Sequence, residues 1–209
     1  MRILVTAGPT REYFDTVRFI SNPSSGKMGF ATATAALQRG HQVVLVSGPV
    51  ALPQPKGAEL IDVVSADEMF EAASAAFESC DAAILTAAVC DYKPARKLDH
   101  KLKKRATPRP ITLQPTRDIA THLGEIKGHR VIIGFAMEDR DARRNAAQKL
   151  RRKRCDAIVL NGMLNVAGDV ATIEMLTADG NWSRPYQGPK VQLAFVIIDL
   201  LERLAGPRT

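Results

Sequence analysis

Six short runs of largely branched apolar residues, Arg2–Ala7, Gln42–Ser47, Leu60–Val64, Ala82–Ala88, Val131–Phe135 and Ala157–Leu160, recur along the chain without polar alternation inside them. A strand with one face in water alternates polar and apolar side chains, so a continuous run of this length reads as a strand buried on both faces. Between the runs lie stretches with helical spacing: Lys27–Arg39, closed by Gly40; Asp67–Glu78, after a Ser65 cap with Glu68 at the third helical position; and Asp141–Arg152. Strand alternating with helix calls for crossover connections. The expected fold is therefore α/β, a Rossmann-like, doubly wound and mostly parallel sheet with ligands at the carboxyl ends of its strands. Ala171–Thr177, Asp179-Gly180 and Trp182 read as a small β-hairpin, and Gln192–Leu204 as a closing helix. One domain over residues 1–209 accommodates all of these.

With 45% hydrophobic and 24% charged residues, the chain falls in the globular range rather than the disordered one. Its longest apolar run, Ala82–Val89, is far short of the roughly 20 residues that cross a bilayer, and no charged-then-apolar leader precedes the first strand. A cytoplasmic location with no membrane partner is expected. Cys80, Cys90 and Cys155 lack CxxC spacing, which fits a reducing compartment and suggests neither a disulfide framework nor a zinc site.

After Gly8-Pro9-Thr10 a long loop runs to Ser24-Ser25-Gly26-Lys27-Met28-Gly29, where the first helix starts. Hydroxyls, a glycine and the open N–H groups of a helix N-terminus form a candidate phosphate site over Ser24, Ser25, Gly26 and Lys27. The plainer alternative is a serine cap with a glycine chosen for helix–sheet packing. Better-known phosphate motifs fail here. Walker A would need glycine and Ser/Thr where Ser21 and Met28 stand, and the dinucleotide fingerprint would need an acid where the second strand ends Ser47-Gly48-Pro49. His41, His100, His122 and His129 show no metal-ligand spacing, and no GxSxG elbow occurs.

The net charge of +7 is concentrated. Arg96–Arg109 holds seven basic residues against Asp99 alone, and Arg143–Arg154 holds seven with no acid. Two short windows near strand ends suit a polyphosphate better than a nucleic acid, which favours a continuous basic face; a solvated helix face and a plain surface loop is the alternative. The fourth apolar run leads into Ala87-Ala88-Val89-Cys90-Asp91-Tyr92 and then Lys101-Leu102-Lys103-Lys104. Small residues let a flat ligand approach, Asp91 can accept from hydroxyls or amines, and the lysines can reach phosphates like a flap.

Thr10-Arg11-Glu12, Val17-Arg18-Phe19-Ile20-Ser21-Asn22, Ser24-Ser25-Gly26-Lys27-Met28-Gly29, Ala87-Ala88-Val89 with Asp91-Tyr92, Lys101-Leu102-Lys103-Lys104, and Gly134-Phe135 with Glu138 resemble, in order, the motifs of bacterial phosphopantothenoylcysteine synthetase. The resemblance implies a ligase in coenzyme A biosynthesis. The carboxylate of 4′-phosphopantothenate would attack the α-phosphorus of CTP, giving an acyl-cytidylate and pyrophosphate, and the amine of L-cysteine would then displace CMP. It further implies Asn22 at the substrate or acyl-cytidylate, Arg18 organising the same loop, and Lys101 on the triphosphate. Ala87, Asp91, Thr116, Asp118, Ile119, Phe135, Lys149 and Lys153 would border the nucleotide. Mg2+ would bridge phosphates without a protein metal site, and the chain would form a homodimer, with the Asp179-Gly180 region in the interface. A flavin-dependent decarboxylase, fused or separate, would be a partner.

Three departures from the family pattern carry expectations of their own. Cys90 stands where a small residue is usual, which would put an oxidisable thiol near the nucleotide; Thr116-Arg117 replaces Asn-Pro before Asp118-Ile119, where base selectivity is set; and Asn161-Gly162 keeps the asparagine without an acidic neighbour. Two other classes stay open on the residues alone, a nicotinamide- or flavin-linked reductase and a non-catalytic nucleotide- or nucleic-acid-binding protein.

Overall fold

The computed structural model describes residues 1–162 and 168–206. The first half of the chain forms β1 (Arg2–Ala7), β2 (Arg11–Tyr13), β3 (Phe19–Ser21), α1 (Lys27–Gln38), β4 (Gln42–Ser47), β5 (Glu59–Asp62), α2 (Ala66–Phe77), β6 (Ala82–Leu85) and β7 (Tyr92–Pro94). The second half adds β8 (Leu113–Pro115), α3 (Ile119–Ile126), β9 (Val131–Met137), α4 (Ala142–Arg152), β10 (Ala157–Asn161), β11 (Val170–Thr177), β12 (Tyr186–Pro189) and α5 (Lys190–Ala205).

Eight strands make one sheet in the order β12-β11-β10-β9-β6-β1-β4-β5. The six from β10 to β5 run parallel, and β11 and β12 are added antiparallel at one edge. The unbroken apolar runs are explained by the layers. Along β1, Ile3, Val5 and Ala7 face α1 and α5, while Leu4 faces the layer of α2, α3 and α4. The same alternation holds in β4, where Val43 and Leu45 point one way and Val44 and Val46 the other. Each such side chain, taken fully out of water, contributes about 1.5–3 kcal/mol. Both faces thus need apolar residues, and no polar period appears.

From β1 the chain winds outward to β4 and β5, then returns to place β6, β9 and β10 on the other side. The reversal lies between β1 and β6. Beyond their carboxyl ends these two strands lead into small antiparallel hairpins, β2–β3 and β7–β8, joined at their roots by a bridge between Pro9 and Ala88. Three-residue strands have too few positions to show a period, and the sequence reading contains neither hairpin nor α3. The predicted helices sit within two residues of the observed ones, with Glu68 N–H donating to Ser65 Oγ at 3.2 Å as the cap requires. The expected late hairpin is present, turning at Asp179-Gly180. Trp182 adds only an isolated bridge to Leu176, and the paired partner of β11 is β12. No helix among the described residues is long and apolar enough to cross a membrane.

Candidate functional site

A cleft of about 540 Å³ opens over the carboxyl ends of β1, β6, β9 and β10, where an open α/β sheet binds its ligands. Its floor is made of Thr6, Leu85–Val89, Gly134–Met137 and Asn161. Thr86 Oγ1 donates to the Thr6 carbonyl at 2.6 Å, which ties the two strands at the reversal point. Gly29 lets α1 settle onto this seam. A Cβ there would meet Thr86 Oγ1 at 2.4 Å and the Ala7 Cβ at 2.5 Å.

One wall is the segment from Asn22 to Gly29, which includes Ser24, Ser25, Gly26 and Lys27. Gly26 caps α1 at φ 73°, a conformation that disfavours a side chain, and no side chain caps the first turn. Lys27, Met28 and Gly29 therefore present the start of a helix to the cleft, the arrangement that attracts an anion. Asn22, delivered by β3, donates through Nδ2 to the carbonyls of Ala88 and Val89 at 3.1 and 3.0 Å.

The opposite wall combines Asp91, Thr116, Asp118 and Ile119 with Phe135 and, from α4 and its cap, Lys149 and Lys153. Thr116 fixes the loop after β6, donating through its N–H to the Asp91 carbonyl at 2.9 Å and through its hydroxyl to the Cys90 carbonyl at 2.6 Å. Asp118 caps α3 by accepting from Thr121 N–H at 3.1 Å, and Lys153 Nζ lies 3.2 Å from it. Burial alone would raise the Asp118 carboxyl. The Thr121 N–H and the Lys153 ammonium outweigh that and hold it below the usual carboxylate range. Lys149 pairs with Glu138 at 2.6 Å. Arg117 also borders the cleft, but its guanidinium bonds Glu71 at 2.6 Å and covers the Phe70 ring at 4.0 Å. The result is a small-residue floor between lysines on both sides, with carboxylates within reach of hydroxyls and amines.

Residues 1–204 match the family described as DNA/pantothenate metabolism flavoprotein C-terminal domain. The chain belongs to this family. The domain is 42% identical over 206 residues to the coenzyme A biosynthesis bifunctional protein CoaBC of Bacillus subtilis, covering 98% of this chain and 51% of that protein. It is 49% identical over 164 residues to a cysteine/cysteine sulfinic acid decarboxylase from an unknown prokaryotic organism, covering 78% and 46%. The chain spans about half the length of the curated relatives it matches. Among solved structures, the C-terminal domain of a coenzyme A biosynthesis bifunctional protein CoaBC superposes with a TM-score of 0.82 at 39% identity, over 97% of this chain and 94% of that one.

Two residues assigned by resemblance stand outside the cleft lining, Arg18 and Lys101. Arg18 bonds the buried Asp15 through Nε at 2.9 Å and also through its terminal amine, which reaches the Leu102 carbonyl at 2.7 Å. Lys101 is exposed on the loop held there. The Cys90 expectation is corrected. The thiol is buried, does not line the cleft and faces the carbonyls of Thr10 and Ile20, and burial pushes it above the usual thiol range. The sequence reading passed over Lys190, which lines the cleft as the first residue of α5. Its signal was Pro189 directly before it, since proline often stands at a helix start.

Proposed function

We propose that this domain is a phosphopantothenate–cysteine ligase, joining 4′-phosphopantothenate to L-cysteine through an acyl-cytidylate made from CTP. The reading rests above all on one observation. Asn22, the Ser24–Lys27 helix start, the Ala87–Asp91 strand end, the Thr116–Ile119 loop and the Lys149/Lys153 pair line a single cleft. The 39% identity to the solved CoaBC C-terminal domain supports the same conclusion.

A carboxylate is a poor acyl donor at neutral pH, so it must first acquire a leaving group. Its oxygen attacks the α-phosphorus of CTP, the bond to the β-phosphate oxygen breaks, and pyrophosphate leaves. The cysteine amine then attacks the acyl carbon, CMP leaves, and the amine's proton is lost. Both steps build negative charge between lysines, where an ammonium about 4 Å from a phosphate charge gains roughly 4 kcal/mol at an effective dielectric of 20. Phe135 and the small residues at Ala87 receive the nucleoside, Asp91 and Thr116 its hydroxyls, and Lys149 and Lys153 its phosphates. Asn22 orients the reacting carboxylate or acyl group with an amide that both donates and accepts. Lys101, carried on the loop anchored by Asp15 and Arg18, reaches the triphosphate when that loop closes.

Magnesium fits this donor set as a cation carried by the phosphates. Among the described residues no group of three or more His, Cys, Asp or Glu could hold a metal, and magnesium bound to phosphates needs only one or two carboxylates. It would neutralise phosphate charge, with Asp91 the cleft carboxylate placed to assist. The reading also includes a homodimer, a cytoplasmic location and a flavin-dependent decarboxylase, fused or separate, that consumes the product. For the dimer, the exposed Val17, Phe19, Tyr92 and Leu113 of the two small hairpins form a better apolar surface than the polar Asp179-Gly180 turn.

The deciding experiment measures pyrophosphate release with magnesium, 4′-phosphopantothenate and each nucleoside triphosphate in turn, with and without cysteine, followed by mass analysis. CTP-dependent release with phosphopantothenoylcysteine as product is expected. Absence of release with every nucleotide would remove the ligase reading.

A further inference from the structure

The loop that completes the second cleft wall has little apolar burial to hold it. From Ile111 to Asp118 every residue is exposed except the half-buried Thr116, and full burial resumes only at Ile119. Ordering such a segment costs backbone entropy, so it keeps its place only through discrete contacts. Thr116 and Asp118 make theirs along the cleft wall that they line. Arg117, between them, reaches the other way, to α2. Its guanidinium donates through one terminal amine to Glu71 Oε1 at 2.6 Å and through the other to the Asp67 carbonyl at 3.4 Å. Its Nε lies 3.6 Å from Asp67 Oδ1, and its flat face covers the Phe70 ring at 4.0 Å. Residues 67, 70 and 71 share one face of α2 by helical spacing. Two further groups gather on that face. Lys93 of β7, the strand paired with β8, forms an ion pair with Asp67, and His122 of α3 packs on Phe70 with ring centroids 4.8 Å apart. A lone exposed ion pair holds little. Here the fork and the flat face of one guanidinium are engaged together, which an ammonium cannot do.

We propose that Arg117 is a positioning residue for nucleotide binding, a staple that fixes residues 116–118 to α2 and so keeps Thr116 and Asp118 in the cleft wall. The inference deepens the ligase reading and rests on it for the identity of the nucleotide. Arg117 acts through its two neighbours. Releasing it loosens a wall that meets the nucleotide in the ground state and in the transition state alike, and the effect of such a loss falls on KM and leaves kcat in place.

The test uses the full chain, with CTP and magnesium, in calorimetry and in pyrophosphate-release kinetics. In Arg117→Ala, CTP affinity should fall and its KM rise about 10-fold, the scale of one lost charge-assisted hydrogen bond. The turnover number and the KM for 4′-phosphopantothenate should stay near wild type. Arg117→Lys should resemble Arg117→Ala, because it keeps the charge but loses the fork and the stack. Glu71→Ala should weaken CTP binding several-fold, and combining it with Arg117→Ala should add nothing to the arginine change alone. These signs separate the staple from a direct pull of the cation on the triphosphate. A direct pull would be restored by lysine and strengthened by removing the Glu71 charge. A merely structural role would lower the melting temperature and the turnover number and leave the KM for CTP unmoved. Wild-type CTP affinity in Arg117→Ala, full rescue by lysine, or tighter binding in Glu71→Ala would each overturn the proposal. Should Arg117→Ala fail to fold, unchanged or tighter CTP binding in Glu71→Ala would overturn it instead. A chain that binds CTP in an Arg117-dependent way but releases no pyrophosphate would keep the staple and remove the ligase reading. Pyrophosphate release by the wild type with unchanged kinetics in every variant would do the reverse.

Discussion

The Asp15 carboxylate accepts a hydrogen bond from the backbone N–H of Leu102 at 3.1 Å across 87 residues of sequence. Asp15 is fully buried and also accepts from the N–H groups of Val17 and Arg18 at 2.8 and 2.7 Å. One carboxylate therefore organises the β2–β3 turn and fastens the lysine-rich loop to it. This explains why Lys101 rests outside the cleft while lying next to a fixed point.

Asp15→Asn should loosen that loop. Its dense lysines and arginines make limited trypsin digestion a direct readout, and cleavage between residues 96 and 109 should accelerate at unchanged far-UV signal. Burial would raise the Asp15 carboxyl, but the Arg18 side chain and the three N–H donors prevail and lower it far below the usual range. A depressed carboxylate stabilises the fold above its unfolded value, near 3.9, and that contribution is lost as pH falls through the folded value. Acid unfolding of the wild type below about pH 4 should be shallower in the variant.

Asn22→Ala removes the amide that bridges the Ala88 and Val89 carbonyls. The turnover number should drop about 100-fold or more, the scale for loss of a positioned polar group, with acyl-cytidylate detected by mass spectrometry. Wild-type turnover would take Asn22 out of the mechanism.

Gly29→Ala should destabilise by about 1–3 kcal/mol or more, the cost of overpacking, because its methyl would collide with Thr86 and Ala7. Thermal unfolding measures this directly, and an unchanged melting temperature would mean that α1 can shift on the sheet.

All three thiols are buried and raised, Cys155 to about 11. At pH 8 an aromatic disulfide reagent should titrate almost none of them in the native chain and all three in denaturant. Cys90→Ala should keep wild-type nucleotide use, and rapid inactivation of the wild type by mild oxidant would contradict this assignment.

How much could be read beforehand follows from what leaves a period in sequence. Strands such as β1 and β4 were legible because both faces are covered, which forces Leu, Ile and Val at successive positions. The two-turn α3 was not, although its Asp118 cap on Thr121 is a local signal, because eight residues carry too little period; nor were the three-residue strands β2, β3, β7 and β8, which are held by longer-range bonds such as Thr116 N–H to the Asp91 carbonyl. The cleft wall from Asn22 to Lys27 was legible from its glycine and serines. Lys190 was missed because its place in the cleft lining depends on α5 meeting α1, a contact between residues more than 150 positions apart.

The bond from Thr86 to Thr6 joins residues 80 apart and forms the floor of the cleft. Closing so long a loop is slow, and its entropy must be met before the contact gives anything back. The cleft is lined from both sides of that bond, so neither half of the sheet contains it alone. Catalytic competence is therefore a late event in folding, and recovered activity after dilution from denaturant should lag behind recovered helix content. A nascent or partly unfolded chain would carry every lysine of the site and none of its chemistry.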